Sequence, residues 1–149
     1  MTDVERAVFP RAAGRASGGL ELRCVIFARR GEAVVLIRHR RHPIFENAWT
    51  LPGGTLEYGV NPRESAARIL RDQTGIAPKS MRLLGIHSSV EGEWILTFQF
   101  ETTVSTEPAP GKGATEARLV GFERAPPDVH PLTRSLLESY RIHELAKAL

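Results

Sequence analysis

Residues 54–76 read GTLEYGVNPRESAARILRDQTGI, and the order of residue types in them sets the reading of the whole chain. Asn61, Pro62, Arg63 and Glu64 open a helix: a side chain able to cap free amides, a proline at the first helical position, and a glutamate three residues after the cap. The helix is expected to cover about residues 62–74 and to end at Gly75. Just upstream, Trp49, Thr50 and Leu51 form a short strand that runs into Pro52, Gly53 and Gly54, where the glycines let the backbone turn sharply.

Before this segment lie two β-branched, apolar runs, 20–28 and 33–38, joined by Arg29, Arg30, Gly31 and Glu32 in the manner of a hairpin. After it, the runs 81–90 and 94–104 flank Glu91, Gly92 and Glu93 as a second hairpin. Trp94, Phe98 and Phe100 alternate with Gln99 and Glu101, which places the aromatic rings on a core face. Residues 106–113 carry two prolines and two glycines and read as a loop, and 116–122 make a last strand. Leu132, Leu136, Leu137, Tyr140 and Leu145 then lie along one face of a closing helix. The small-residue-rich stretch 12–19 lacks periodicity, so residues 1–19 are expected to be a flexible leader and 20–149 one domain.

A chain of 149 residues with 42% hydrophobic content fills one core. Its 20 Lys and Arg against 17 Asp and Glu leave a net charge of +3, too little for the dense basic footprint of a DNA-binding protein, while anionic small molecules remain natural partners. Cys24, the single cysteine, sits in an apolar run and cannot close an intrachain disulfide, which predicts a buried thiol in a reducing compartment. No apolar run is long enough to span a membrane, and acidic Asp3 and Glu5 precede any apolar stretch, unlike a secretory signal. The expected setting is cytoplasmic, without a membrane partner.

The segment 54–76 resembles the Nudix box, G-x5-E-x7-R-E-U-x-E-E-x-G-U with U a bulky aliphatic residue. Gly54, Arg68, Leu70, Gly75 and Ile76 fit at their spacings, and Trp49, Leu51, Pro52, Gly53, Glu57, Gly59, Pro62 and Ala66 are also typical of that family. The order of strands and helices follows the family over about residues 20–149. The resemblance therefore implies an α/β/α sandwich with a mixed β-sheet between helices. It further implies a MutT-like hydrolase of nucleoside diphosphate-linked substrates, using Mg²⁺ or Mn²⁺ held by box glutamates. Glutamates three and four positions apart share a helical face and converge on the metals, which neutralise a diphosphate and position the attacking water.

The departures from the box fall on those carboxylates. The loop glutamate is Val60, and the three helix glutamates are Ile69, Asp72 and Gln73. Asp72 is one methylene shorter than glutamate, Gln73 offers only a neutral amide oxygen, and Ile69 binds no metal. The metal ligands the resemblance leaves are Asp72, Glu57 in the preceding loop, Gln73, and the Gly53 carbonyl. Asp72, Glu57 and Arg68 are the catalytic candidates, although Arg68 reads equally well as a solvated helix arginine now that its glutamate neighbour is Ile69. Glu64 belongs to the capping box. Glu91, Glu93 and Glu116 read as surface glutamates unless the fold brings one to Asp72.

Arg38, His39, Arg40, Arg41 and His42 form a basic cluster whose arginines suit phosphate oxygens, or else a solvated strand end. With Gly54, Arg38 and Arg40 are the candidate contacts to a nucleotide-like ligand. RNA contact through the cluster would weaken steeply with salt, and the modest net charge argues against a nucleic-acid partner. Trp49 packs against either the box or a ligand. Two functional readings follow: a pyrophosphohydrolase of weak, altered or lost activity, or a non-catalytic domain that keeps the pocket to bind a nucleotide-like ligand. The resemblance also admits a homodimer.

Overall fold

The computed structural model describes residues 19–39 and 47–147. Their elements run β1 (Leu20–Arg30), β2 (Ala33–His39), β3 (Trp49–Thr50), β4 (Gly53–Thr55), α1 (Pro62–Thr74), β5 (Arg82–Glu91), β6 (Glu93–Thr103), β7 (Ala114–Gly121) and α2 (Pro131–Lys147). Most of the expected leader, residues 1–18, lies outside the described residues, as does Arg40.

The seven strands form one mixed sheet in the order β3-β2-β1-β6-β5, with β4 also paired to β1 and β7 to β2. The β1–β6 pairing is parallel and runs without a break from Leu20↔Trp94 to Arg29↔Thr103. The hairpin expected between β1 and β2 exists, but only next to its turn, at Arg29↔Val34 and Arg30↔Ala33. Beyond it the strands part, and β2 takes β7 as its long partner. The second hairpin runs from Arg82↔Glu101 to Glu91↔Glu93 with a register shift between Leu83 and Gly85, and Gly92 at a φ of 78° makes the turn.

Side chains alternate across a strand, so β1 and β2 feed two cores. Cys24, Ile26, Ala28, Val35 and Ile37 meet Ala66 and Leu70 of α1 on one face. Phe27, Val34 and Leu36 meet Leu136, Leu137 and Tyr140 of α2 on the other. The sheet is thus sandwiched between the two helices. Phe98 and Phe100 join the α1 side as expected, whereas Trp94 is 51% exposed, beyond the helix's cover, with its Nε1–H donated to Ser88 Oγ at 2.7 Å.

Helix α1 begins and ends where its local chemistry directs. The Asn61 side chain accepts from the Arg63 amide at 2.9 Å, and Gly75 closes the helix with φ 74° in the left-handed region that glycine enters freely. The last carbonyls of a helix lack partners within it. Here Gly75 N–H donates to Arg71 O at 2.9 Å, and the loop before β7 supplies Lys112 N–H to Asp72 O at 2.8 Å, Gly111 N–H to Gln73 O at 2.9 Å and Ala109 N–H to Thr74 O at 2.9 Å. That loop therefore fixes the end of the helix that carries the box residues.

Candidate functional site

The junction of α1 with the glycine turn is built from β4. Ile26 N–H to Pro52 O (2.9 Å) and Leu56 N–H to Leu22 O (2.8 Å) tie alternate residues of this segment to β1. In an antiparallel pair the intervening residues turn their backbone groups the other way, so Gly53 directs its N–H and C=O away from β1. Gln73 of α1 meets both: Gly53 N–H donates to Gln73 Oε1 at 3.0 Å, and Gln73 Nε2 donates to Gly53 O at 2.9 Å. Only glycine fits at 53, because a β-carbon there would lie 2.2 Å from the Cys24 carbonyl oxygen. Next to it, a β-carbon on Gly54 would sit 3.9 Å from Ile69 Cδ1, so an aliphatic methyl lies over the glycine.

The remaining box candidates, Glu57, Arg68 and Asp72, are exposed. Glu57 forms an ion pair with Arg68 at 2.9 Å, with the two side chains 54% and 49% exposed. An exposed pair of this kind contributes about 0–1 kcal/mol, so Arg68 is a surface partner of Glu57. Asp72 is exposed, and its carboxylate makes no ion pair among the described residues. Gly53 and Gln73, the expected oxygen donors to a metal, offer those oxygens to each other. Among the described residues no three His, Cys, Asp or Glu side chains gather where they could hold one ion. The donor set therefore does not fit the Mg²⁺ or Mn²⁺ centre that the box implies. Glu116, one of the acids outside the box, lies 3.9 Å from Arg38 and 3.8 Å from Arg118.

Arg38, expected to meet phosphate, is already paired with Asp128 and stands 5.0 Å from the centre of the Trp49 ring. Arg118 approaches the same ring at 5.2 Å. Trp49 itself is 3% exposed and belongs to the core under α2, on the face of the sheet opposite the box helix, so it does not pack against that helix as the first of its two readings had it.

On the α2 side of the sheet, the glycine turn borders a cavity of about 280 Å³. Glu21 and Arg23 of β1 line it with Thr97 of β6, His130 ahead of α2, Thr133 of α2, and Gly53 and Gly54. Arg23 and Glu21 form an ion pair. Leu132 N–H donates to His130 Nδ1 at 3.2 Å, a bond that requires this nitrogen unprotonated. Burial holds the His130 imidazole below its ordinary pKa, partly offset by the attraction of Glu91. Cys24 also borders the cavity, and burial pushes its thiol up to about 11, so it is a neutral thiol at physiological pH. Gly53 and Gly54 were sequence candidates, but Glu21, Arg23, Thr97, His130 and Thr133 escape sequence reasoning because they come from distant parts of the chain. The one available signal is a pair of charges, Glu21 and Arg23, on one face of a strand whose next five residues, 24–28, are apolar.

The model of the NUDIX domain matches residues 20–140. The chain belongs to the NUDIX family. It is 30% identical over 97 residues to an ADP-ribose pyrophosphatase from Methanocaldococcus jannaschii, an alignment covering 62% of this chain and 57% of that protein. It is also 30% identical over 83 residues to diphosphoinositol polyphosphate phosphohydrolase 3-alpha of Mus musculus, covering 55% of this chain and 49% of that protein. The chain thus spans about half the length of these relatives. Among solved structures, a MutT NUDIX hydrolase from Burkholderia pseudomallei superposes with a TM-score of 0.71 at 22% identity, over 80% of this chain and 96% of that one. The NUDIX domain of Shewanella oneidensis NrtR, solved with ADP ribose, superposes with a TM-score of 0.68 at 17% identity, over 96% and 99%. These likenesses establish the fold. Among the described residues no helix is long and apolar enough to cross a membrane.

Proposed function

We propose that this NUDIX domain binds a nucleotide-like ligand, with hydrolysis weak or lost. The carrying observation is the contrast between the two sides of the glycine turn: an open cavity of about 280 Å³ with charged and polar side chains set in a largely apolar wall on one, and on the other a helix whose box positions retain a single acid, Asp72. Ligand pockets range over about 300–1,000 Å³, so this cavity suits a nucleoside-sized group with the rest of the ligand outside. Arg23, exchanging its ion pair with Glu21, supplies the cation for an anionic group, and the threonines and His130 supply polar contacts. The NUDIX domain solved with ADP ribose supports that compound as the first ligand to test. The buried thiol of Cys24 agrees with a reducing, cytoplasmic setting.

The test pairs calorimetric binding with phosphate or nucleotide release from ADP-ribose, nucleoside triphosphates, dinucleoside polyphosphates and nucleotide sugars, with Mg²⁺ and Mn²⁺. Binding without turnover, weakened about tenfold by Arg23→Ala through loss of a charge-assisted hydrogen bond, is the expected result. Turnover abolished by Asp72→Ala reveals a working enzyme and overturns the non-hydrolysing reading. Failure to bind any of the panel removes the ligand proposal.

A further inference from the structure

The Gln73 carboxamide meets Gly53 with one donor and one acceptor, matched to the one acceptor and one donor that Gly53 presents. This pairing also fixes the orientation of the amide, since the Gly53 N–H can face only an oxygen. We propose that Gln73 is a clasp that takes the place of a metal, joining the box helix to the glycine turn so that this junction closes without a divalent cation. In the box pattern the residue at this position is glutamate. A carboxylate at 73 could accept from the Gly53 N–H but would set its second oxygen against the Gly53 carbonyl, an arrangement that needs a cation between them.

Gln73 removes that need, because its Nε2–H₂ supplies the positive end that a metal would otherwise provide. Three surrounding observations agree. Ile69 covers Gly54 with a methyl group where the pattern places an acid, the Arg68 guanidinium holds Glu57, and the loop amides of Gly111 and Lys112 hold the backbone of Gln73 and Asp72. The clasp fixes the edge of β4, whose opposite side borders the cavity, so Gln73 is a positioning residue for that wall.

The test is independent of any organic ligand, so its failure is distinguishable from failure of the binding proposal. Thermal melts are recorded in EDTA and in 1 mM Mn²⁺ for wild type, Gln73→Met and Gln73→Glu, with Mn²⁺ binding followed by electron paramagnetic resonance. Wild type is expected to melt at the same temperature in both and to bind no Mn²⁺. Gln73→Met should melt about 4 °C lower in both, through loss of two hydrogen bonds. Gln73→Glu should melt lower in EDTA and recover in Mn²⁺ with measurable binding. That metal-dependent recovery is a signature that loss of a merely structural contact does not produce. The clasp is overturned by a wild-type melt that rises with Mn²⁺, by a Gln73→Met melt equal to wild type, or by a Gln73→Glu melt that Mn²⁺ leaves unmoved.

Discussion

Replacing Gly111 by alanine should loosen the helix that carries Asp72 and Gln73 without touching either residue. An added β-carbon would lie 2.0 Å from the Asp72 carbonyl oxygen and 3.0 Å from its carbonyl carbon, both backbone atoms that cannot swing aside. The φ of Gly111 is not in the left-handed region, so the penalty comes from contact rather than backbone strain. Relief requires the loop to back away, which breaks the Gly111 and Lys112 bonds to Gln73 O and Asp72 O. Two such bonds are worth about 1–3 kcal/mol, and the lower chain entropy of alanine in the unfolded state returns about 0.4–1 kcal/mol. The net loss is about 1–2 kcal/mol, a fall of about 3–6 °C in melting temperature for a domain of this size. Urea or thermal melts, with hydrogen exchange at the two loop amides, measure it. Gly85→Ala is the control, since nothing lies within 4 Å of its added carbon. An unchanged Gly111→Ala midpoint with both amides still protected would refute the coupling of loop to helix.

Tyr140→Phe should cost about 2–3 kcal/mol by urea titration, because the buried hydroxyl accepts from Arg29 and donates to Glu101 while the ring keeps its 4.2 Å stack on Phe27; a loss under 0.5 kcal/mol sinks this. Burial alone would raise the Glu101 carboxyl, yet its bonds from Tyr140 and Arg82 hold it below its ordinary 4.5, so its contribution is complete above that pH and fades as pH falls through the lowered value. The depressed His130 imidazole acts in the same direction from a higher start: its contribution is present above 6.5 and fades as pH drops below, and His130→Gln should erase that step from a melt-versus-pH curve. Restoring glutamate at Ile69 and Gln73 together should raise Mn²⁺-dependent release from ADP-ribose at least tenfold if the pocket is intact; no gain would mean that the pocket has diverged along with the helix.

What the sequence made legible is what local chemistry decides. Asn61, Pro62 and Gly75 act within a turn of their own positions, and helix α1 has the bounds they predict. The turn glycines likewise mark both hairpins. The parting of β1 from β2 was hidden, because β4 takes the edge of β1 (Arg23↔Thr55 to Val25↔Gly53) and β3 the edge of β2 (Ile37↔Thr50, Arg38↔Trp49) where the two strands would otherwise stay paired. The box substitutions were legible as chemistry, since Ile69 cannot bind a metal in any fold. The bonding of Gln73 was not, because it depends on the register of β4 against β1, which turns both polar groups of Gly53 toward the helix. Arg68 was ambiguous for a similar reason: its partner, Glu57, lies across a turn. The cavity was legible only at Gly53 and Gly54, because the charged and polar residues of its wall come from separate parts of the chain.

The parallel pairing of β1 with β6 also sets an order of events. Leu20 lies beside Trp94 and Arg29 beside Thr103, a constant separation of 74 positions (94 − 20 and 103 − 29), and the glycine turn and helix α1 both lie inside the loop this closes. Closing so long a loop is entropically costly and slows folding relative to local hairpins and helices. During synthesis the box segment emerges whole, and α1 can coil, well before β6 exists to complete the sheet behind β1. A chain halted before residue 94 would carry every residue of the box yet lack the strand that supplies Thr97 to the cavity wall.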